Sequence, residues 1–245
     1  SKITERTRGI VIINPNNPTG AVYSREILQQ IADVAREHEL VVFADEIYEK
    51  ITYEGAEAIN MATITGDDVL CMTFSGLSKA YRVCGYRAGW LAITGPKEDA
   101  KNYIEGITLL ASMRLCSNVP AQHAIQTALG GYQSIDELVA PGGRLYEQRT
   151  LAYRMLNEID GITCEQADGA LYLFPKIDTE KFNIKSDEQF MLDLLKDQKI
   201  LFSHGSAFNW HKPDHFRLVF LPDVQTLKSA LERLGNFMAD YKQKN

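Results

Sequence analysis

The chain has 245 residues, 45% hydrophobic and 24% charged, which fits one large domain or two modest ones with a packed core and excludes disorder. A formal net charge of -6 with no basic run is the wrong footprint for nucleic acid, and no apolar stretch is long enough to cross a bilayer. The polar start SKITERTRG lacks the apolar centre of a secretory signal. Cys71, Cys84, Cys116 and Cys164 form no C-x-x-C pair, so reduced thiols in a cytoplasmic protein are expected, with no zinc site and no disulfide framework.

Residues 9–14, GIVIIN, are an apolar β-branched run and predict a strand. NPNNPTG follows, dense in turn residues, with two X-Pro bonds (Asn14–Pro15 and Asn17–Pro18) that can each be cis at modest cost. Ser24 is placed to cap a helix from Arg25 to about Glu37, with Ile27, Ile31, Val34 and Ala35 on its apolar face. Leu40 to Ala44 reads as a fully buried strand that releases Asp45, Glu46 and Tyr48 at its carboxyl end. Strand, helix, strand at this spacing is a βαβ unit, hence a parallel sheet. Val69 to Phe74 is a third strand, which empties into Ser75, Gly76, Leu77, Ser78 and Lys79. Ala88 to Thr94 is a fourth, and its short connection allows it to run antiparallel. Helices are predicted over 97–113 and over Ala121 to Leu129, the latter ended by Gly130 and Gly131.

Pro141, Gly142 and Gly143 break the composition, and the domain boundary is placed there: 1–140 and 141–245. A helix from Arg144 to Glu158 buries Leu145, Arg149, Ala152, Leu156 and Ile159. Ala170 to Pro175 predicts a strand, and Ser186 with Gln189 a capping box for a helix to about Asp197. Strands follow at Ile200 to Ser203 and Phe216 to Leu221. Asp223 caps a last helix with Leu227, Leu231, Leu234, Met238 and Tyr241 on one face. This is an α/β domain followed by a smaller α+β one.

Ligands of open α/β sheets sit beyond the carboxyl ends of the strands, and NPNNPTG, DEIY and SGLSK all occupy such ends. A lysine at a strand mouth suits covalent chemistry with an aldehyde, while the hydroxyls beside Lys79 and Arg87 eight positions on suit a phosphate. Pyridoxal phosphate (PLP) joins an aldehyde and a phosphate on one ring. Singly, each residue has a plainer reading: a surface lysine, a turn asparagine, a strand-end aspartate, a structural ion pair for Arg217.

Taken in order, NPNNPTG, ADEIY, SGLSK followed by GYR, and the arginine of HFRLVFLPD resemble the fold-type I, class I aminotransferases, in the branch that includes bacterial alanine transaminases. The resemblance covers nearly the whole chain and implies part of a PLP-transferase large domain with a C-terminal small domain. It implies that Lys79 holds PLP as a Schiff base and acts as general base, with Asp45 against the pyridine nitrogen and Tyr48 and Asn17 on the ring's phenolic oxygen. Arg87 with Ser78 and Ser75 would bind the phosphate, and Arg217 with Asn17 the substrate α-carboxylate. Asn17–Pro18 is expected to be cis. Many relatives carry a phosphate-binding serine three places before the lysine, where this chain has Gly76.

Aspartate-type relatives place an arginine four residues before the serine of a Ser-Asn-Pro-like stretch. Here that place is Met113, with Arg114 one residue off, which suits a small apolar substrate such as alanine, paired with glutamate and 2-oxoglutarate. A homodimer is implied. His204, His211 and His215 invite a metal, but Pro213 keeps the last two from sharing a helix face; Phe208 and Trp210 in that loop are expected to be packing residues. The family's N-terminal part is not in this sequence, so weak PLP binding and little activity are expected of this polypeptide alone. Two rivals stand beside this reading: an inactive module of the same fold, and a nucleotide hydrolase built on an acidic pair at VVFADE, which lacks a G-x-x-x-x-G-K-[ST] loop.

Overall fold

The computed structural model describes residues 2–244, which divide into two compact units. The first comprises residues 2–16, Val22–Thr52 and Ala56–Asp136; the second comprises Asn17–Ala21, Tyr53–Gly55 and residues 137–244. Two short pieces of the N-terminal half thus belong to the second unit, an exchange that no composition break signals.

In the first unit the elements are β1 (Gly9–Ile13), α1 (Arg25–Glu37), β2 (Val41–Asp45), α2 (Ala62–Thr65), β3 (Cys71–Gly76), β4 (Gly89–Thr94), α3 (Lys101–Met113) and α4 (Val119–Gly130). The sheet order is β1-β2-β3-β4, with β1, β2 and β3 parallel and β4 antiparallel to β3. Ser24 caps α1 as its spacing requires, accepting the Ile27 N–H. The buried stripe of α1 is Leu28, Ala32 and Ala35, however, and Ile27 is exposed. The two alanines let the helix lie close on the sheet, and that contact rotates the face by one residue from the one expected. The core here is that contact: Leu28, Ala32 and Ala35 against Ile12, Val42 and Ala44.

The other face of the sheet is thinly covered. β2 alternates buried and half-buried residues rather than being buried throughout, and Val11 on β1 is 72% exposed. β3 starts and ends two residues later than the apolar run suggests, because Ser75 and Gly76 still pair with Trp90 and Gly89. Helix α4 keeps Gly130, and Gly131 leaves it in extended backbone rather than as a left-handed cap; a Cβ there would lie 2.5 Å from the Thr127 carbonyl oxygen.

The short helix α5 (Ile135–Val139) spans the division in the sequence. The second unit then contains α6 (Arg144–Asn157), β5 (Ile162–Thr163), β6 (Tyr172–Leu173), β7 (Lys176–Ile177), α7 (Asp187–Gln198), β8 (Ser203–His204), β9 (Phe216–Val219) and α8 (Val224–Asp240). The strands at 170–175 and 200–203 are much shorter than predicted. Ala170 sits at φ 57 and breaks the extended run, and only Ser203 and His204 pair with β9. The sheet order is β6-β9-β8, all antiparallel, with β5 and β7 as a separate pair. Helices α6 and α8 bury Leu145, Arg149, Ala152 and Leu156, and Leu227, Leu231, Leu234 and Met238, as expected, whereas Ile159 and Tyr241 fall beyond the helix ends and are half-buried; Asp223 caps α8 through the Gln225 and Thr226 N–H groups.

The capping box of α7 is half formed. Ser186 accepts the Gln189 N–H, but the Gln189 side chain turns to Asp193. The Ser186 N–H is taken instead by Gln243, which also accepts the Lys185 N–H and donates to the Ser186 carbonyl. Among the described residues no helix is long and apolar enough to cross a membrane.

Candidate active site

In the first unit, parallel pairing puts Ile13, Asp45 and Phe74 in one row, at the carboxyl ends of β1 and β2 and two residues short of that of β3. The ladder continues one step beyond it: Asn14 N–H donates to the Asp45 carbonyl, and Glu46 N–H to the Phe74 carbonyl. Strand pairing rather than loop conformation therefore fixes where Asp45 sits. Its Oδ1 accepts the Ile47 N–H at 3.1 Å, a local turn that orients the carboxylate. Tyr48 is buried at the start of the following turn, and Lys79 Nζ lies 5.7 Å from the centroid of its ring. The structure thus brings Lys79 and Tyr48 together from motifs 31 positions apart in the sequence.

Ser75 and Ser78 are half-buried on either side of Gly76 and Leu77. Gly76 has a physical reason to depart from serine. It pairs with Gly89, and a Cβ on it would stand 3.0 Å from both the Ala88 carbonyl oxygen and the Gly89 Cα. Arg87 caps the short 3-10 helix Cys84–Tyr86 at φ 52 and is exposed, and its Nη1 donates to the Cys84 carbonyl at 2.6 Å rather than to Ser75 or Ser78.

Glu46 does not form an acidic metal pair with Asp45. It is buried, its carboxylate accepting the Met61 N–H at 2.7 Å and the Asn60 side-chain amide. Burial outweighs those donors and raises its pKa to about 7.

In the second unit, Arg217 sits on the central strand β9. Nη1 donates to Asn17 Oδ1 at 2.9 Å, and Nη2 reaches Ser203 Oγ, directly across the ladder, at 3.4 Å. Its guanidinium carbon lies 4.6 Å from the ring centroid of Tyr172 and 4.6 Å from that of Phe208. Nε is buried without a partner, and no carboxylate of the described residues pairs with Arg217. The alternative of a structural ion pair is therefore not what holds it. Sequence reasoning missed Tyr172 and Ser203 and assigned Phe208 only to packing. Ser203 faces Arg217 by register and Tyr172, opposite Val219, is its diagonal neighbour, so the pairing could have been found only once register was known.

Two of the three histidines weighed as metal ligands have protein partners. His204 Nδ1 is 2.8 Å from Ser206 Oγ; His215 Nδ1 is 2.7 Å from Asp214 Oδ1 and its ring stacks on Phe174. Asn14–Pro15 and Asn17–Pro18 are both cis.

The model of the aminotransferase class I and II family matches residues 1–234. The chain belongs to that family. It is 63% identical over 243 residues to an alanine aminotransferase of Mycobacterium tuberculosis (strain H37Rv), covering 99% of this chain and 56% of that protein. It is 58% identical to the glutamate-pyruvate aminotransferase AlaA of Escherichia coli K12, covering 99% of this chain and 60% of that one. Among solved structures, an Escherichia coli aminotransferase superposes with a TM-score of 0.98 at 58% identity, over 99% of this chain and 60% of its own. An alanine aminotransferase from Pyrococcus furiosus does so at 0.91 and 41%, over 98% of this chain and 59% of its own. The chain therefore spans 56–60% of the length of these relatives.

Aminotransferases of this family use pyridoxal 5'-phosphate, and the donor set of the first unit fits it. An amine beside a phenol, with a carboxylate at the adjoining strand end and two hydroxyls flanking a glycine, matches the cofactor's aldehyde, phenolic oxygen, ring nitrogen and phosphate.

Proposed function

We propose that the protein is a PLP-dependent transaminase that moves an amino group between L-alanine and a 2-oxo acid, with glutamate and 2-oxoglutarate as the other couple. The observation that carries the proposal is Lys79 above Tyr48 at the ends of the strands that also present Asp45. The choice of alanine is supported by names: relatives at 58–63% identity are alanine or glutamate-pyruvate aminotransferases, whereas an aspartate aminotransferase of Geobacillus stearothermophilus is 34% identical.

When bound, PLP supplies an aldehyde and an electron-withdrawing ring. The chain's own residues do the rest. Lys79 anchors the cofactor through its amine and takes and returns the proton at the substrate α-carbon. Asp45 keeps the ring nitrogen protonated, and Tyr48 and Asn17 donate to the phenolic oxygen. Ser75, Ser78 and Arg87 bind the phosphate. Arg217, steadied by Asn17, takes the α-carboxylate as a bidentate fork.

The proposal includes a homodimer in the cytoplasm. Helix α3 buries none of its residues and exposes Leu109, Leu110 and Met113, an apolar surface of the kind that a second copy covers, and all four cysteines are free thiols.

The test is reconstitution of the intact protein with PLP. A visible absorbance band that borohydride traps on Lys79, and alanine turnover lost in Lys79→Ala, are expected. Full turnover in Lys79→Ala overturns the chemistry; faster turnover of aspartate than of alanine overturns the substrate.

A further inference from the structure

Resting on the assignment of Arg217 to the substrate carboxylate, we infer that Tyr172 and Phe208 are positioning residues that fix the plane of its guanidinium. A guanidinium carries five N–H donors in one plane and two broad faces. Both ring centroids are 4.6 Å from the guanidinium carbon, so two aromatic surfaces lie against the charged group and take up space that a counter-ion would otherwise fill. Asn17 holds one end of the fork at 2.9 Å, and the Ser203 contact at 3.4 Å is long and yields easily. An anion must then approach in the plane, along the edge, which is the geometry of bidentate carboxylate recognition.

The rings are themselves braced. Tyr172 belongs to β6, paired with β9 through Val219. Phe208 ends the 3-10 turn Gly205–Phe208, which buried Asp187 ties down by accepting the Ser206 N–H at 2.7 Å and its hydroxyl at 2.9 Å. Phe174 packs edge-on against Phe208, with centroids 6.4 Å apart. No carboxylate of the described residues pairs with Arg217, so beyond the Asn17 and Ser203 bonds it is these rings that set its direction.

The test uses the intact, PLP-loaded enzyme and propionate, a carboxylate that has no amine and cannot react, in isothermal titration. Phe208→Leu and Tyr172→Leu keep apolar bulk but remove the π face. Each is expected to weaken propionate about tenfold, which corresponds to about 1.4 kcal/mol, to raise the KM for alanine similarly with kcat within about twofold, and to cut the preference for L-alanine over L-alaninamide in kcat/KM. Phe208→Tyr and Tyr172→Phe, which keep the faces, should bind propionate within about twofold of wild type. If a leucine variant melts below the assay temperature, Phe208→Met replaces it with the same expectation. Leucine or methionine variants that bind propionate like wild type, while Arg217→Ala does not bind, overturn the positioning role and leave the carboxylate clamp standing. An Arg217→Ala variant that binds like wild type overturns the clamp itself.

Discussion

Arg149 offers the sharpest stability test. It is 0% exposed on α6, with Nη1 donating to the Ala167 carbonyl at 2.8 Å and its guanidinium carbon 4.4 Å from the Tyr53 ring centroid and 5.2 Å from that of Tyr146. Nη2 is 2.8 Å from Glu54 Oε2, within ion-pair distance but off the hydrogen-bonding direction. Arg149→Met keeps much of the stem and removes the charge. The charged hydrogen bond is worth about 1.5–3 kcal/mol, the two ring contacts about 0.5–1 kcal/mol each, and the half-exposed Glu54 pair under about 1 kcal/mol after screening. Removing a buried cation also relieves desolvation, which offsets part of that sum. The Ala167 carbonyl, however, is left without its donor, and the net expectation is about 3 kcal/mol of destabilisation, a fall on the order of 10 °C in melting temperature. Calorimetry of Arg149→Met against Glu54→Gln measures it, and the glutamine control should lose less than a third as much. The Arg149 guanidinium beside Glu54 is also the largest cause holding that carboxyl below its ordinary range, so that contribution is present above the unfolded pKa and is lost as pH falls through the lowered one. Arg149→Met as stable as wild type, or more so, would show that desolvation decides this site.

Three further outcomes follow from the geometry. Glu46, with a folded pKa raised to about 7, gives stability that is fully present below the unfolded value of 4.5 and is lost as pH rises through 7, on the order of 3 kcal/mol at most; Glu46→Gln should flatten the melting profile between pH 5 and 8 in this way, and an unchanged profile contradicts the assignment. Gln243→Ala removes two acceptor bonds and one donor bond at the start of α7 and should cost about 2–4 kcal/mol in guanidinium unfolding, with a change under about 0.5 kcal/mol contradicting it. Gly20→Ala puts a Cβ at φ +73 only 2.4 Å from the Ala167 Cβ and 2.8 Å from the Tyr172 carbonyl oxygen, so a loss of more than about 2 kcal/mol is expected in thermal melts, and a neutral result is not compatible with that packing.

What could be read from the chain was what is local. Ser24 and Asp223 announce their helices because a cap and its N–H partners lie within three residues. The order of strands was legible because apolar β-branched runs and intervening helices leave few topologies. Ser186 with Gln189 has the same local form, yet Gln243 took one half of the work, and 57 residues of separation hide that from any window. The small strands of the second unit were overestimated because their apolar residues are buried without being paired: Leu171 is buried, but the ladder begins at Tyr172. In the candidate site, the motif residues Lys79, Asp45 and Arg217 stood out by chemistry. The residues around them did not: Phe208 read as a packing residue and Tyr172 drew no notice, because only strand register and the fold of the Gly205–Phe208 turn bring both rings to the charge.

The pleat of β9 has one more effect. Phe216 and Leu218 are sealed inside the second unit, while Arg217 and Val219 point the opposite way. If the strand threaded one residue out of step, a guanidinium would be driven into oil and a phenylalanine out toward water. The residue proposed to recognise substrate therefore also proofreads the assembly of its own strand, because a mis-threaded copy is penalised twice over, and drift in this short segment is suppressed without any dedicated safeguard.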